Sequence, residues 1–319
     1  MQSVQTGHIF PLTSVKPLEG LFAYRQYCFE AVQKALASSS AVKRRQSPID
    51  GTPLEFWARI GDLEYWRCPK TGSLFLGSLP DLKVWGALLE EVNKYRQAKG
   101  FHKDIKKLRL ENVYLPKITW IENGLRLQGL KKTNALEVAA SESEFAPLLK
   151  EKGVFQEVKV LSEMDLFFKE GNECSVGAGV LLESLDRAVH PDKLLTNIHR
   201  CLHSGGLLFI TSLVSSGFDA LVLGKENAYL YPPDRTNFFS LLGLKELVKR
   251  AGFELLEIST PGVLDVEVVQ THMIHGVKPV LSAFEKELMA SNDDIRRHFQ
   301  KFLQQANMSS FARIMARKG

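Results

Sequence analysis

The residues able to do chemistry are few, and their spacing is poor for the usual constellations. His199 and His203 stand four apart in a helical stretch, a spacing that can clamp zinc. No Glu follows His199, however, and no third ligand is evident, so a satisfied surface pair is the simpler reading. His190 directly precedes Pro191, which places it in a turn; it is a candidate general base, since imidazole titrates near neutral pH. Cys28, Cys68, Cys174 and Cys201 lie far apart in a chain long enough to build a core without staples. A reducing, cytoplasmic location is therefore expected. Neither a Gly-x-Ser-x-Gly elbow nor a phosphate loop ending in Gly-Lys-Ser/Thr is present. Tyr229, Tyr231, Phe238 and Phe239 are open between cleft lining and core, with core packing favoured.

Any such groups must be positioned by a chain of 319 residues, 45% apolar and 24% charged. That is ordinary for a globular protein of two or three domains, at roughly 100–200 residues each. No window approaches the roughly 18 apolar residues of a membrane span, and the first twenty residues lack the pattern of a secretory signal. Charge is uneven: residues 1–132 are net +9 and residues 133–319 net −4. A basic front half could meet nucleic acid, a phosphorylated ligand or another protein. The lysines of 94–107 are interrupted by Asp104 and lack an aromatic ladder, so a solvated face is favoured over nucleic acid.

Periodicity predicts a helix over Leu21–Ala37, then a polar linker through Ser38-Ser39-Ser40 and Lys43-Arg44-Arg45. Short strands follow at 55–60 and 63–67, and a helix at 81–99 with Leu82, Trp85, Leu88, Leu89 and Val92 on one face. Residues 108–132 read as short strands and turns around Pro116 and Asn123-Gly124. From Asn134 onward strands (135–139, 158–161, 174–182, 207–213, 254–259, 312–317) alternate with helices (144–152, 192–202, 244–251, 280–289, 293–305). The helix at 192–202 is expected to stop at Ser204-Gly205-Gly206. Alternation of this kind implies an α/β fold with a mostly parallel sheet covered on both faces.

Several segments, in this order, carry a family resemblance: Ala135-Leu136-Glu137-Val138, Leu182-Glu183-Ser184-Leu185, Leu202-His203-Ser204-Gly205-Gly206, 232–240 (Pro-Pro-Asp-Arg-Thr-Asn-Phe-Phe-Ser), Gly252-Phe253-Glu254, 260–265 and the closing 299–318. Over 134–319, and more weakly over 47–99, the chain resembles class I S-adenosylmethionine-dependent methyltransferases with an N-terminal zinc ribbon. The resemblance implies an N-terminal appendage (1–45), a degenerate ribbon and helical linker region (46–132) and a methyltransferase-like Rossmann domain (133–319).

It also implies sites, and each is altered. The ribbon's two Cys-Pro-x-Cys-Gly turns read Ser47-Pro48-Ile49-Asp50-Gly51 and Cys68-Pro69-Lys70-Thr71-Gly72. Ser47, Asp50 and Thr71 replace three thiols, so no zinc is expected on Cys68 alone. The cofactor loop Glu-x-Gly-x-Gly-x-Gly reads Glu137-Val138-Ala139-Ala140-Ser141-Glu142-Ser143. Ala139, Ser141 and Ser143 put three Cβ atoms where backbone meets ligand, each costing ~1–3 kcal/mol if overpacked. Glu142 adds negative charge beside the cofactor carboxylate. Two histidines of the family pattern are Ser184 and Arg235, neither a good base at neutral pH. Only 21 residues, 153–173, are available for a strand, a helix and a third strand, so one βα unit is missing. Glu163 is the first candidate for the ribose-binding acid and Asp165 the second.

Turn-forming residues are thus kept while ligand-binding residues are changed. The expectation is a catalytically inactive pseudo-methyltransferase serving as scaffold or subunit, with a protein partner or a second copy of itself. An active methyltransferase on a small molecule such as a sugar, or a basic N-terminal nucleic-acid-binding module, are the alternatives.

Overall fold

The computed structural model describes residues 11–12, 18–38, 40–99, 103–130, 133–139, 143–168 and 175–319. In chain order, helix α1 (Leu18–Ser38) precedes five short strands: β1 (Val42–Lys43), β2 (Glu55–Ile60), β3 (Leu63–Arg67), β4 (Leu74–Leu76) and β5 (Ser78–Leu79). Helices α2 (Leu82–Ala98), α3 (Lys106–Arg109) and α4 (Leu115–Leu127) follow, with a π turn at Leu110–Tyr114. Then come β6 (Ala135–Val138), α5 (Ala146–Glu151), β7 (Val158–Leu161), α6 (Glu163–Phe168), β8 (Val176–Leu182), α7 (Ser184–Arg187), α8 (Pro191–Cys201) and β9 (Leu202–Leu213). The chain closes with α9 (Phe218–Leu223), β10 (Asn237–Phe238), α10 (Leu241–Arg250), β11 (Phe253–Ser259), α11 (Asp265–Ile274), α12 (Ala283–Ala290), α13 (Asp293–Gln305) and β12 (Phe311–Lys318).

Six strands form the central sheet in the order β11-β12-β9-β8-β6-β7. Strands β7, β6, β8 and β9 are parallel, and β12 runs antiparallel between β9 and β11. The sheet is therefore mixed at one end. Strand β8 is buried from Val176 to Leu181, which is why it reads as an unbroken apolar run and not an alternating one. One strand and one short helix occupy the described part of 153–173, and β7 ends the sheet on that side among the described residues. The sheet is the Rossmann-like α/β sheet expected, one βα unit short among the described residues.

A second sheet, β10-β4-β3-β2, joins the two halves of the chain, since Asn237 of β10 pairs with Phe75 of β4. Helix α1 is seated in the core as well: Leu21, Tyr24, Cys28, Val32 and Ala35 are buried, and Tyr27 stacks on Tyr95 of α2 at 3.7 Å between ring centroids. Helix α2 starts at an Asp81 cap, whose carboxylate accepts from Val84 N, and buries Leu82, Trp85, Leu88 and Val92.

Three local expectations are corrected. Residues 108–132 are mostly helical, not strands and turns. Pro116 follows directly on the π turn at Leu110–Tyr114, whose widened hydrogen bonding (Leu115 N to Leu110 O) lets an unbroken helical run pass a residue with no N–H. Gly124 is a packing contact and not a turn: a Cβ there would lie 2.6 Å from Met315 Sδ and 2.7 Å from Phe209 Cε1. The helix before β9 stops at Cys201, and the strand begins at once. Gly205, at φ +75°, allows a bulge inside β9 and does not end a helix. His203 consequently lies on the strand, and the i,i+4 helical pair with His199 does not form. Helices α9 and α11 were not anticipated.

Gly124→Val is expected to lower the unfolding free energy by about 1–3 kcal/mol, because neither the Phe209 ring nor Met315 has room to retreat within the sheet. Denaturant unfolding checks this, with an unchanged midpoint as the contrary result.

Candidate functional site

A cavity of about 1070 Å³ opens at the C-terminal ends of β6 and β8 and is walled on its other sides by α4, the 229–235 loop and the start of β12. This is where an open α/β sheet places its ligands. Glu137, Ala139, Ser143, Glu163, Ser184 and Arg235 all border it; Ser141 and Glu142 lie outside the described residues. Tyr229 and Tyr231 also line it, whereas Phe238 and Phe239 are core. His190 does not line it: its ring stacks on Phe167 at 5.5 Å, and burial pushes its pKa down.

The carboxylates at the strand ends are engaged by the chain itself. Glu163, the residue opening α6, accepts from Val189 N at 3.0 Å and His190 N at 2.8 Å, one bond to each oxygen. Asp165 accepts from Ser162 N at 3.0 Å and from Ser162 Oγ at 2.8 Å, capping α6. Ser143 Oγ lies 2.7–2.8 Å from both Glu137 oxygens and accepts from Phe145 N and Ala146 N, which fixes the start of α5. Burial pushes the Glu137 carboxyl up to about 7, with Ser143 opposing. Ser184 Oγ donates to Val138 O at 2.6 Å, holding α7 against the end of β6.

The segment 185–190, the end of α7 and the turn that follows it, is clamped from four directions. Asn237 Nδ2 donates to Leu185 O and Ala188 O, Trp85 Nε1 to Arg187 O, and Arg44 Nη2 to Val189 O. Glu163 takes the two amides. Every one of these groups is polar and sheltered, so each would be costly to leave unmade.

An ionic network that inspection of single motifs missed fills the opposite wall. Arg235 Nη2 donates to Glu183 Oε2 at 2.8 Å, and its Nη1 lies 3.4 Å from Asp186 Oδ2. Burial pushes Asp186 up to about 7, with Arg235 opposing. Lys117, from α4, stands 3.9 Å from Glu183 Oε1, and burial pushes its ammonium down to about 8. Glu183 was in view within Leu-Glu-Ser-Leu, but only the neighbouring Ser184 drew notice; Lys117 was hidden because α4 was not read as a helix.

Metal sites are not evident: among the described residues no group of three or more His, Cys, Asp or Glu side chains could hold an ion. The turns at 47–51 and 68–72 are near copies, with Gly51 and Gly72 both at φ +77° and their amides bonded to Ser47 O and Cys68 O. An ion pair joins them, Lys70 Nζ to Asp50 Oδ2 at 2.9 Å. Among the described residues no helix is long and apolar enough to cross a membrane.

Residues 180–258 match a family model described as a methyltransferase domain. The chain is similar to class I S-adenosylmethionine-dependent methyltransferases. The matched stretch holds the clamped segment, Glu183 and Arg235; it does not reach 47–99, and the ribbon part of the resemblance gains nothing from it. Similar solved structures include a SAM-dependent methyltransferase from Thermotoga maritima (16% identity, 74% of this chain and 99% of that one, TM-score 0.41). Others are a phosphoethanolamine N-methyltransferase from Haemonchus contortus (17%, 63% and 53%, 0.37) and a coclaurine N-methyltransferase bound to N-methylheliamine and SAH (11%, 63% and 70%, 0.39). Likeness at that level says nothing about activity. No curated protein matches the chain significantly.

The domain built on the six-stranded sheet should show an inverted pH response at Glu137. Its folded-state pKa of about 7 lies above the usual 4.5, so the stability it contributes is present below about pH 4.5 and is lost as pH rises through 7. The loss is on the order of 1–3 kcal/mol. Glu137→Gln is expected to flatten part of this decline, with Asp186 supplying the rest; unfolding curves between pH 4.5 and 7.5 that superimpose for both proteins would contradict it.

Proposed function

We propose that the chain is a pseudo-methyltransferase, a methyltransferase fold kept as a scaffold or subunit and not as a catalyst. One observation carries this reading: Glu163, in the place of the ribose-binding acid, already has both oxygens bonded to Val189 N and His190 N. The residues present do not fit S-adenosylmethionine. Each Glu163 oxygen has spent one of its lone-pair sites, so a diol would have to share the carboxylate with two backbone amides that fix its orientation. Ala139 and Ser143 carry Cβ atoms where the family resemblance implies glycine, and the Ser143 hydroxyl is committed to Glu137 and to α5.

The proton-transfer side supports the same reading. Arg235 is buried and held by Glu183 and Asp234 O, and it cannot accept a proton. Ser184 is spent on Val138 O. A protein partner or a second copy of the chain is the expected occupant of its surface. Cys28, Cys68 and Cys201 are buried and none forms a disulfide, which suits a reducing, cytoplasmic location.

The size of the cavity favours one second reading, a small-molecule methyltransferase with an unusual cofactor loop. Calorimetric titration of the purified chain with S-adenosylmethionine separates the two. The pseudoenzyme reading expects no saturable heat up to about 1 mM, equivalent to binding weaker than about −4 kcal/mol. A dissociation constant in the low micromolar range would overturn it in favour of the active enzyme.

A further inference from the structure

Helices α12 and α13 leave an apolar face uncovered, and none of it lines the cavity. Ile295, Phe299 and Phe302 stand at i, i+4 and i+7 of α13 and so share one stripe of that helix. The Phe299 ring is the hub. Its centroid lies 5.2 Å from that of Phe218 on α9, 5.8 Å from Phe284 on α12 and 5.9 Å from Phe302. Met308 joins at the edge, where its carbonyl accepts from Phe218 N. Phe284 is 62% exposed, Ile295 and Phe302 51% each, and Met308 45%. Single exposed apolar side chains are ordinary, but a contiguous group built on aromatic rings marks a contact surface.

The charges around this face say what covers it. Most of those on the two helices are matched already: Arg296 pairs with Asp293, Arg297 with Asp294, and Glu285 is held in a capping box by Ser282. Lys286, two residues on from Phe284, lies on the far side of α12. One charge is left at each margin. Glu287 stands one turn past Phe284 on α12. On α13, His298 borders the stripe one turn before Phe302, and Lys301 stands one turn beyond His298. Glu287 and Lys301 are exposed, and neither makes an ion pair among the described residues. The face therefore runs from an acid, across the rings, to a base. An anionic membrane or a nucleic acid would call for positive charge at both margins. The complement of this face is one of the same make with its order reversed, which a two-fold axis through Phe299 supplies.

We propose that this face is the interface of a two-fold dimer, in which Phe284, Phe299 and Phe302 pack on the same rings of a second copy of the chain and Glu287 of each protomer meets Lys301 of the other. The proposal rests on the reading of the chain as a scaffold or subunit and deepens it by naming the partner and the surface. An aromatic centre inside a charged margin is the usual anatomy of such a contact. The rings supply the affinity, and the crossed charge pairs fix the orientation of one copy on the other.

The test is sedimentation velocity of the full-length chain between about 1 and 100 µM, with circular dichroism on every sample to check the fold. A monomer–dimer equilibrium that shifts with concentration is expected. Phe302→Asp should weaken the dimer at least about tenfold, the order expected for an aromatic anchor at the centre of an interface. Glu287→Lys and Lys301→Glu should each weaken it by setting like charges opposite one another, and the two changes together should restore it. That rescue is specific, because it requires positions 287 and 301 to meet across the two copies. All three side chains are exposed, so the variants should keep the parent fold; if Phe302→Asp does not, the charge exchange decides. A chain that stays monomeric at about 100 µM would overturn the interface. So would a dimer that none of the variants weakens, or one that the charge exchange fails to restore. Titration of the same samples with S-adenosylmethionine keeps the two readings apart: a dimer that binds it would overturn the pseudoenzyme and keep the interface, and a monomer that does not bind it would do the reverse.

Discussion

Glu163 makes two hydrogen bonds on which much of the domain's geometry rests. Its carboxylate, two residues past the end of β7, receives the amides of Val189 and His190. Those amides lie just past α7, and Asn237, Trp85 and Arg44 hold α7 and this turn by the carbonyls of Leu185, Arg187, Ala188 and Val189. Arg44 and Trp85 come from the N-terminal third, Glu163 from the sheet edge, and Asn237 from the strand that pairs with β4. The six residues 185–190, the end of α7 and the turn after it, therefore tie together the front of the chain, the edge of the main sheet and the small sheet. Because these groups are sheltered, breaking any one leaves a buried polar atom unmatched, at about 1–3 kcal/mol.

The same economy shapes the cleft. In an open α/β sheet the strand ends present polar groups to a ligand. Here the acids at those ends are turned inward: Glu163 to the loop, Glu137 to Ser143, Asp165 to Ser162. Lys117 of α4 and Arg313 of β12 border the same space, together with the acids Glu111, Glu144 and Asp234.

Much of this was legible in the residue order. Strand and helix alternation from Asn134, the shortage of residues between 153 and 173, and the helix stops at Gly153 and Gly252 translate directly into φ-positive glycines and short connections. Altered motif positions such as Ser184 and Arg235 did converge on one cavity. What stayed hidden depends on tertiary contact. Pro116 and Gly124 look like helix breakers until the π turn before the one and the approach of the other to Phe209 are known. The meeting of Lys117 and Phe311 depends on α4 lying over the start of β12, a juxtaposition no local pattern encodes. Nor does sequence say that Glu163 spends its oxygens on the amides of Val189 and His190, 26 and 27 residues away.

Hydrogen exchange at Val189 and His190 tests the central claim most directly, because it reads the two amides that Glu163 holds. Both should exchange as slowly as the amides of β8, and adding S-adenosylmethionine at about millimolar concentration should leave them unchanged, as expected for a satisfied, closed contact. Rapid exchange at these amides in the free protein, slowed by the cofactor, would show that Glu163 is available to a ligand and that the cleft is not closed to it.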